Sequence, residues 1–235
     1  MLMGILHDGL CSIGIGNSFS GIATAPLEEV EAKMESYIAL LQEYNAKFDL
    51  INTDGHDEIA IRHILDSLSA VPALCAELSS RNTDFSGGFS AADIGSGAGL
   101  PGIPLAAVFP QIPFTLVERM TKRCAFLSHC AEKLSLKNVT VEENQAERLS
   151  QGRFDFCAFR AFRPLEKKMM KVLLRILKDG GFLAAYKARR AKIDEEMNSL
   201  PVVPQYAVVP LSVPFLTENT SGDEERERNL VVITR

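Results

Sequence analysis

Ala92-Asp93-Ile94-Gly95-Ser96-Gly97-Ala98-Gly99-Leu100-Pro101-Gly102-Ile103-Pro104 is the stretch that decides the fold. It follows a short apolar run at 91–94 and leads into residues 100–108, whose apolar spacing is helical, so it reads as a strand-to-helix turn. Ligands of open α/β sheets lie outside the carboxyl ends of the strands, and glycines there let backbone amides approach where a Cβ would collide. Gly95, Gly97 and Gly99 are therefore contact candidates. Pro101 is compatible with a first helical turn, which needs no N–H at that position.

Outward from this turn the pattern repeats. Short apolar runs at 114–117, 139–141, 154–159 and 182–186 read as strands, and residues 122–136 and 165–177 have helical spacing. Alternating β and α units predict an α/β core with a mainly parallel sheet. Residues 202–213 and 230–234 are β-branched and flank an acidic loop around Asp223–Glu227, which predicts a C-terminal antiparallel hairpin. Upstream, Leu27, Val30, Met34, Ile38, Leu41 and Tyr44 mark an amphipathic helix to about Phe48. A second helix is expected to start at Asp57 as N-cap, with Ile61, Ile64, Leu65, Leu68 and Val71 as its buried stripe and Pro72 as a break. Residues 79–90 have the composition of a boundary, giving an N-terminal arm and helical cap (1–88) and an α/β domain (89–235). The arm, 1–26, has five glycines and too little periodicity for a long helix.

The chain has 235 residues, 46% hydrophobic and 23% charged, which fits a globular protein and excludes a disordered or collagen-like one. No run of about 18 apolar residues and no secretory leader is evident, so a cytoplasmic protein without a membrane partner is expected. Cys11, Cys75, Cys124, Cys130 and Cys157 contain no C-x-x-C pair and read as reduced filler residues; no metal site is expected, since His7, His56 and His129 show no ligand spacing. The net charge of −5 hides an asymmetry: residues 119–192 carry 18 Lys and Arg against 7 Asp and Glu. Two arrangements fit that count, one face for a polyanion or charges scattered over several solvated helix faces.

The glycine turn also satisfies G-x-G-x-x-G at Gly97, Gly99 and Gly102, which keeps a nucleotide-dependent oxidoreductase in play. Glu118, 23 residues after Gly95 at the end of the next strand, suits the ribose of either adenosine ligand, or is a solvated strand-end carboxylate. Asp93 immediately before the turn makes the pattern D-x-G-x-G, the arrangement of S-adenosylmethionine-dependent methyltransferases.

The segment Asp93–Leu105 closely resembles the glycine loop of the small-subunit ribosomal RNA guanine-N7 methyltransferases, RsmG, formerly glucose-inhibited division protein B. Tyr44-Asn45, Arg62-His63-Ile64-Leu65-Asp66-Ser67, Lys122-Arg123-Cys124-Ala125-Phe126-Leu127, Arg160-Ala161-Phe162 and Leu177-Lys178-Asp179-Gly180-Gly181 are similar to other segments of that family. The resemblance spans roughly residue 34 to the C-terminus. It implies a Rossmann-like class I methyltransferase with a seven-stranded sheet, using S-adenosyl-L-methionine to methylate N7 of a guanine in the decoding-region loop of 16S rRNA within the small ribosomal subunit. It also implies cofactor-binding roles for Gly95, Leu100, Ala146, Glu147 and Arg160. With Asp93, Gly97, Gly99 and Glu118 these make up the expected cofactor site. Three departures are Glu118 where Asp is usual, Ala188 where Gly is common, and Ser96 where Thr often stands.

Guanine N7 carries no proton, so alignment rather than general base catalysis is expected to dominate. Arg160 and Lys187, at strand ends, are the catalytic candidates, positioning guanine O6 or a nearby phosphate. Lys122, Arg123, Arg163 and Lys187 are the substrate-binding candidates. His63 and Asp66 could face the substrate opening; the other reading, preferred for His63, is a structural histidine in a helix–cap contact. Phe159 and Phe162 could stack a splayed base, with core packing equally compatible for Phe159. A monomer without affinity for DNA is expected. A methyltransferase with another RNA or small-molecule acceptor, and a non-catalytic adenosine-ligand-binding module, are the rival readings.

Overall fold

The computed structural model describes residues 4–48, 50–81, 83–85, 87–161, 165–217 and 227–235. Its centre is a seven-stranded sheet. In chain order the main strands are β3 (Ala91–Ile94), β4 (Phe114–Glu118), β5 (Val139–Glu143), β6 (Phe154–Arg160), β7 (Leu177–Lys187), β8 (Tyr206–Pro210) and β9 (Asn229–Thr234), after a small N-terminal hairpin of β1 (Ser18–Phe19) and β2 (Ile22–Ala23). Across the sheet the order is β5-β4-β3-β6-β7-β9-β8. The first five strands are parallel; β9 runs antiparallel between β7 and β8. The chain starts the parallel set at β3, goes outward to β5 and returns to β6. The switch point of the strand order therefore falls beside the glycine turn, where ligands of such sheets bind.

β3 is buried along its whole length, as a central parallel strand covered on both faces must be. One face carries α1 (Ile5–Ile13), α2 (Leu27–Phe48), the helical run α3 (His56–Ser80), α4 (Gly102–Val108) and α5 (Thr121–Lys133). A single buried cluster joins Leu10, Met34, Leu65 and Leu74 to Phe114, Leu116, Phe156 and Tyr186, so apolar packing is continuous across position 88. The other face carries α6 (Lys167–Ile176) and α7 (Arg190–Asn198), packed through Met169, Leu173, Ile193 and Met197. Four of the five cysteines are buried and all are free; burial pushes the Cys75 and Cys130 thiols up to about 12, as inert filler requires.

Several expectations need correction. The arm holds a nine-residue helix, α1, which buries Leu6, Leu10 and Ile13 and ends at Gly14 in the left-handed region. Its glycine content masked about two turns of apolar spacing, Leu6 to Ile13, closed by a glycine C-cap. Asp57 does not cap α3: the helix begins at His56 after Gly55, and Asp57 sits in its first turn, where an acidic group suits the dipole. α3 widens into a π turn at Ala60–Leu65 that spacing alone did not predict. It is long and apolar enough by composition to cross a membrane, but most of it is buried inside the fold, so here it serves as a core helix. α7 was missed because its polar run, Arg-Ala-Lys-Ile-Asp-Glu-Glu-Met-Asn, buries only Ile193 and Met197. Most of the acidic loop expected at Asp223–Glu227 lies outside the described residues.

Candidate functional site

Two clefts open at the carboxyl edge of the sheet and share Ala161. The first, about 300 Å³, lies at the ends of β3, β4 and β5. Gly95 is exposed on it, with Ile94, Val117, Glu118, Arg123 and residues 144–147 around it. Gly95 and Gly97 have φ of 71° and 57°, the left-handed conformation that glycine adopts at no steric cost. Glu118 is 4% exposed and accepts three hydrogen bonds from the main chain. Its Oε2 accepts from the Gly97 amide at 3.0 Å, and its Oε1 from the Arg119 and Met120 amides at 2.8 and 2.9 Å. The carboxylate thus ties the glycine turn to the loop after β4.

Asp93 holds the turn from behind. Its Oδ2 accepts from the Gly102 amide at 3.0 Å, anchoring the start of α4, and Ser96 Oγ donates to its carbonyl at 2.9 Å. The side chain is wholly buried and Oδ1 has no partner among the described residues; burial pushes its pKa up to about 7. The Tyr37 hydroxyl of α2 donates to the Ala98 carbonyl, so the N-terminal helices grip the turn directly. Of the expected cofactor residues, Asp93, Gly97, Gly99, Leu100 and Arg160 do not line this cleft, and Arg160 lines the other one. Gly97 meets it through Glu118. A Cβ on Gly99 would lie 2.6 Å from Ile103 Cδ1 and 2.9 Å from Leu127 Cδ2, so this glycine serves the packing of α4 on α5. Ala146 and Glu147 do line the cleft, on a short turn after β5.

The second cleft, about 290 Å³, lies at the ends of β6, β7 and β9 and is lined by Asp66, Phe159, Arg160, Tyr186, Lys187 and Arg228 among others. Arg160 is tied to α3: Nη1 donates to Asp66 Oδ2 at 2.6 Å and to the Arg62 carbonyl at 3.3 Å, and Nη2 meets His63 Nδ1 at 3.2 Å. Arg228 Nε donates to Asp66 Oδ1 at 3.1 Å. Burial, with Arg160 and Arg62 nearby, pushes His63 down to about 3, so the ring is neutral and acts as an acceptor. Lys187 is paired with Glu196 of α7 at 2.7 Å. Phe159 is 1% exposed and belongs to the core cluster on the α6–α7 face while its edge reaches the cleft.

Of the substrate-binding candidates, Arg123 borders the first cleft and, with Lys122, a neighbouring groove that includes exposed Phe48 and Met120. Arg163 and Phe162 lie outside the described residues. The basic stretch is partly neutralised: Arg153 pairs with Glu142, Lys178 with Asp155, Arg190 with Asp194 and Lys192 with Glu195. Sequence reasoning missed Asn144 and Gln145, which directly follow β5, and the strand ends in this topology were the available signal. It also missed Arg228 and Asn229, which arrive on the last strand with no local motif.

The family model described as rRNA small subunit methyltransferase G matches residues 30–230. The chain belongs to this family. It is 34% identical to the Ribosomal RNA small subunit methyltransferase G of Treponema denticola, covering 99% of this chain and 94% of that one. The corresponding figures for the protein of the same name from Stenotrophomonas maltophilia are 35%, 97% and 93%. Among solved structures, a Methanococcus maripaludis protein assigned as an S-adenosyl-L-methionine-dependent methyltransferase superposes with a TM-score of 0.54 at 11% identity, over 86% of this chain and 93% of that one. The fold is that of class I methyltransferases, and methyltransferase G membership decides against the oxidoreductase reading of the glycine pattern. The cofactor of such a fold, S-adenosyl-L-methionine, fits the first cleft. Glu118 has spent three of about four lone-pair sites and keeps one for a ribose hydroxyl. Ile94, Val117 and Ala146 offer apolar contact for a purine face beside the polar Asn144 and Gln145.

Proposed function

We propose that this chain transfers the methyl group of S-adenosyl-L-methionine to N7 of a guanine in the decoding-region loop of 16S rRNA, within the small ribosomal subunit. The observation that carries the reading is the juxtaposition at Ala161 of a cleft suited to a nucleoside and one lined by Arg160, Lys187 and Arg228. Gly95, Glu118, Ala146 and Glu147 hold the adenosine half, while Asp93, Gly97, Gly99 and Leu100 shape the turn that presents it. When bound, the cofactor supplies an electrophilic methyl group on sulfur.

N7 has a lone pair and no proton, so no residue of this chain has to remove one. The side chains have to align and exclude water, a task for which held geometry is worth most. Arg160 and Lys187 line the second cleft, Arg160 next to the shared Ala161, and act by positioning. A lone guanidinium beside a base that becomes cationic would oppose the reaction, and Asp66 next to Arg160 and Glu196 next to Lys187 offset that charge. Lys122 and Arg123 lie on the same edge and serve the phosphates of the RNA, with Arg163 assigned the same role. The protein acts in the cytoplasm as a monomer.

The test is incubation of the purified chain with labelled S-adenosyl-L-methionine and small subunits from a strain lacking the modification. One methyl group per subunit, mapping to guanine N7 in the 16S rRNA, is the expected result. Labelling of another RNA or of a small molecule, with the subunits untouched, overturns the acceptor assignment and leaves the cofactor assignment standing. Cofactor binding without any transfer identifies a binding module instead.

A further inference from the structure

Arg160 ends β6, yet the partners of its guanidinium among the described residues come from α3: the Asp66 carboxylate, the His63 ring and the Arg62 carbonyl. Arg228, on the far side of the cleft at the start of β9, reaches the other oxygen of the same carboxylate. Asp66 is 5% exposed and both its oxygens are occupied by guanidinium groups that line the cleft. The backbone around it is shaped for this purpose. The π turn at Ala60–Leu65 immediately precedes Asp66, and π turns within helices are frequent at functional sites. The Tyr186 hydroxyl then fastens α3 to β7 by donating to the Ser67 carbonyl at 2.8 Å.

Stability alone is a poor reason for this arrangement. Buried ion pairs seldom outperform apolar packing of the same volume, and Asp66 is the one acidic residue among the buried polar groups of α3, beside Ser67 and Ser69. What the carboxylate does is fix two cations that would repel each other, both directed at one cavity. We propose that Asp66 is a positioning residue for methyl transfer, aiming Arg160, and with it Arg228, into the second cleft. This rests on the functional reading above. Neutral His63 completes the cradle by accepting from the second nitrogen of Arg160 without adding a third positive charge. The N-terminal helices therefore contribute to the site as well as covering the sheet.

The experiment is a double-mutant cycle on the full chain with D66N, R160K and D66N/R160K, measuring single-turnover transfer to unmodified small subunits at saturating cofactor, with thermal midpoints in parallel. D66N is expected to slow transfer at least tenfold. The double variant should be within about twofold of the slower single variant, because R160K has already lost what Asp66 aims. A merely structural Asp66 would lower the midpoint and leave the losses multiplicative, and that result, or a wild-type rate in D66N, overturns the proposal. Should D66N not fold, D66E replaces it. D66E keeps the charge but displaces both guanidinium groups, and is expected to fold and transfer at least fivefold more slowly; a wild-type rate in D66E is equally fatal. Absence of transfer by the wild-type chain sinks the acceptor assignment instead, so the two failures are distinguishable.

Discussion

The two clefts at the carboxyl edge hold comparable space but are made of different material. The first is built around the glycine turn and the ends of β3, β4 and β5, with the Glu118 carboxylate spanning three amides. The second is built of side chains from α3, β6, β7 and β9, held in place by ion pairs at Asp66 and Glu196. A nucleoside cofactor offers the same atoms on every cycle, which backbone amides and one carboxylate can meet. A polyanionic acceptor must be held by charge, and charge at the ends of long side chains needs counter-charges to hold its direction. Substitutions in the two regions should therefore fail differently, one by losing cofactor and fold together, the other by losing rate.

The largest effect is expected from Arg160→Ala in the second cleft. Single-turnover transfer should fall about a hundredfold, or about 3 kcal/mol of barrier. Stability should drop by only about 1–2 kcal/mol, because Asp66 retains Arg228 as partner. Chemical denaturation and a rate measurement on the same sample check both halves. Cofactor affinity and transfer both at wild-type level would remove Arg160 from the site. Next comes Gly102→Ala in the first region. The added Cβ would stand 2.4 Å from Leu116 Cδ2 and 2.7 Å from Asp93 Oδ2, so α4 must shift or the Asp93 bond must break. A loss of about 2 kcal/mol is expected by denaturant titration, together with weakened cofactor binding. A stable variant with full affinity would show that the turn tolerates movement.

The same contrast explains what the sequence discloses. The strand, glycine turn and helix around Gly95 and Glu118 are local, so spacing and the D-x-G-x-G pattern expose them. The parallel sheet follows from alternating apolar runs, and the observed strands begin or end within a few residues of those runs except at β7, which starts at Leu177 because Gly180 lets the chain turn at φ 76° within it. The second cleft is non-local: Asp66, Arg160, Lys187 and Arg228 meet only after folding. Strand-end position marks Arg160 and Lys187, but nothing near Arg228 in the sequence does so. The π turn is invisible to periodicity because Ile61, Ile64, Leu65 and Leu68 satisfy ordinary helical spacing.

Glu118→Gln sharpens the comparison from the cofactor side. The amide side chain must point its NH₂ either at the Gly97 amide or at the Arg119 and Met120 amides, setting donor against donor where the carboxylate accepted. Cofactor affinity should fall about tenfold by equilibrium dialysis, or about 1.4 kcal/mol. Saturating cofactor should restore much of the transfer rate, since the second cleft is untouched. A rate that stays low at saturation would mean that Glu118 also orients the methyl donor.

The smallest effect is a cancellation. Asp93, behind the first cleft, titrates near 7 when folded against an ordinary 3.8; its contribution to stability is complete below pH 3.8 and is lost as pH rises toward 7. His63, behind the second, titrates near 3 when folded against 6.5; its contribution is complete above pH 6.5 and is lost as pH falls toward 3. Between pH 3.8 and 6.5 the two slopes oppose each other, so the joint contribution of Asp93 and His63 to the unfolding free energy is nearly level. Each variant should expose the other group's slope, read as its difference from wild type so that common contributions drop out. Asp93→Asn should gain stability relative to wild type as pH rises through this window, and His63→Gln, which can still accept from Arg160, should lose it. Each slope is bounded by about 1.4 kcal/mol per pH unit, the value for one proton. Parallel profiles for wild type and Asp93→Asn would mean that the buried carboxyl stays ionised, and the backing of the glycine turn would then have to be redrawn around a charged Asp93.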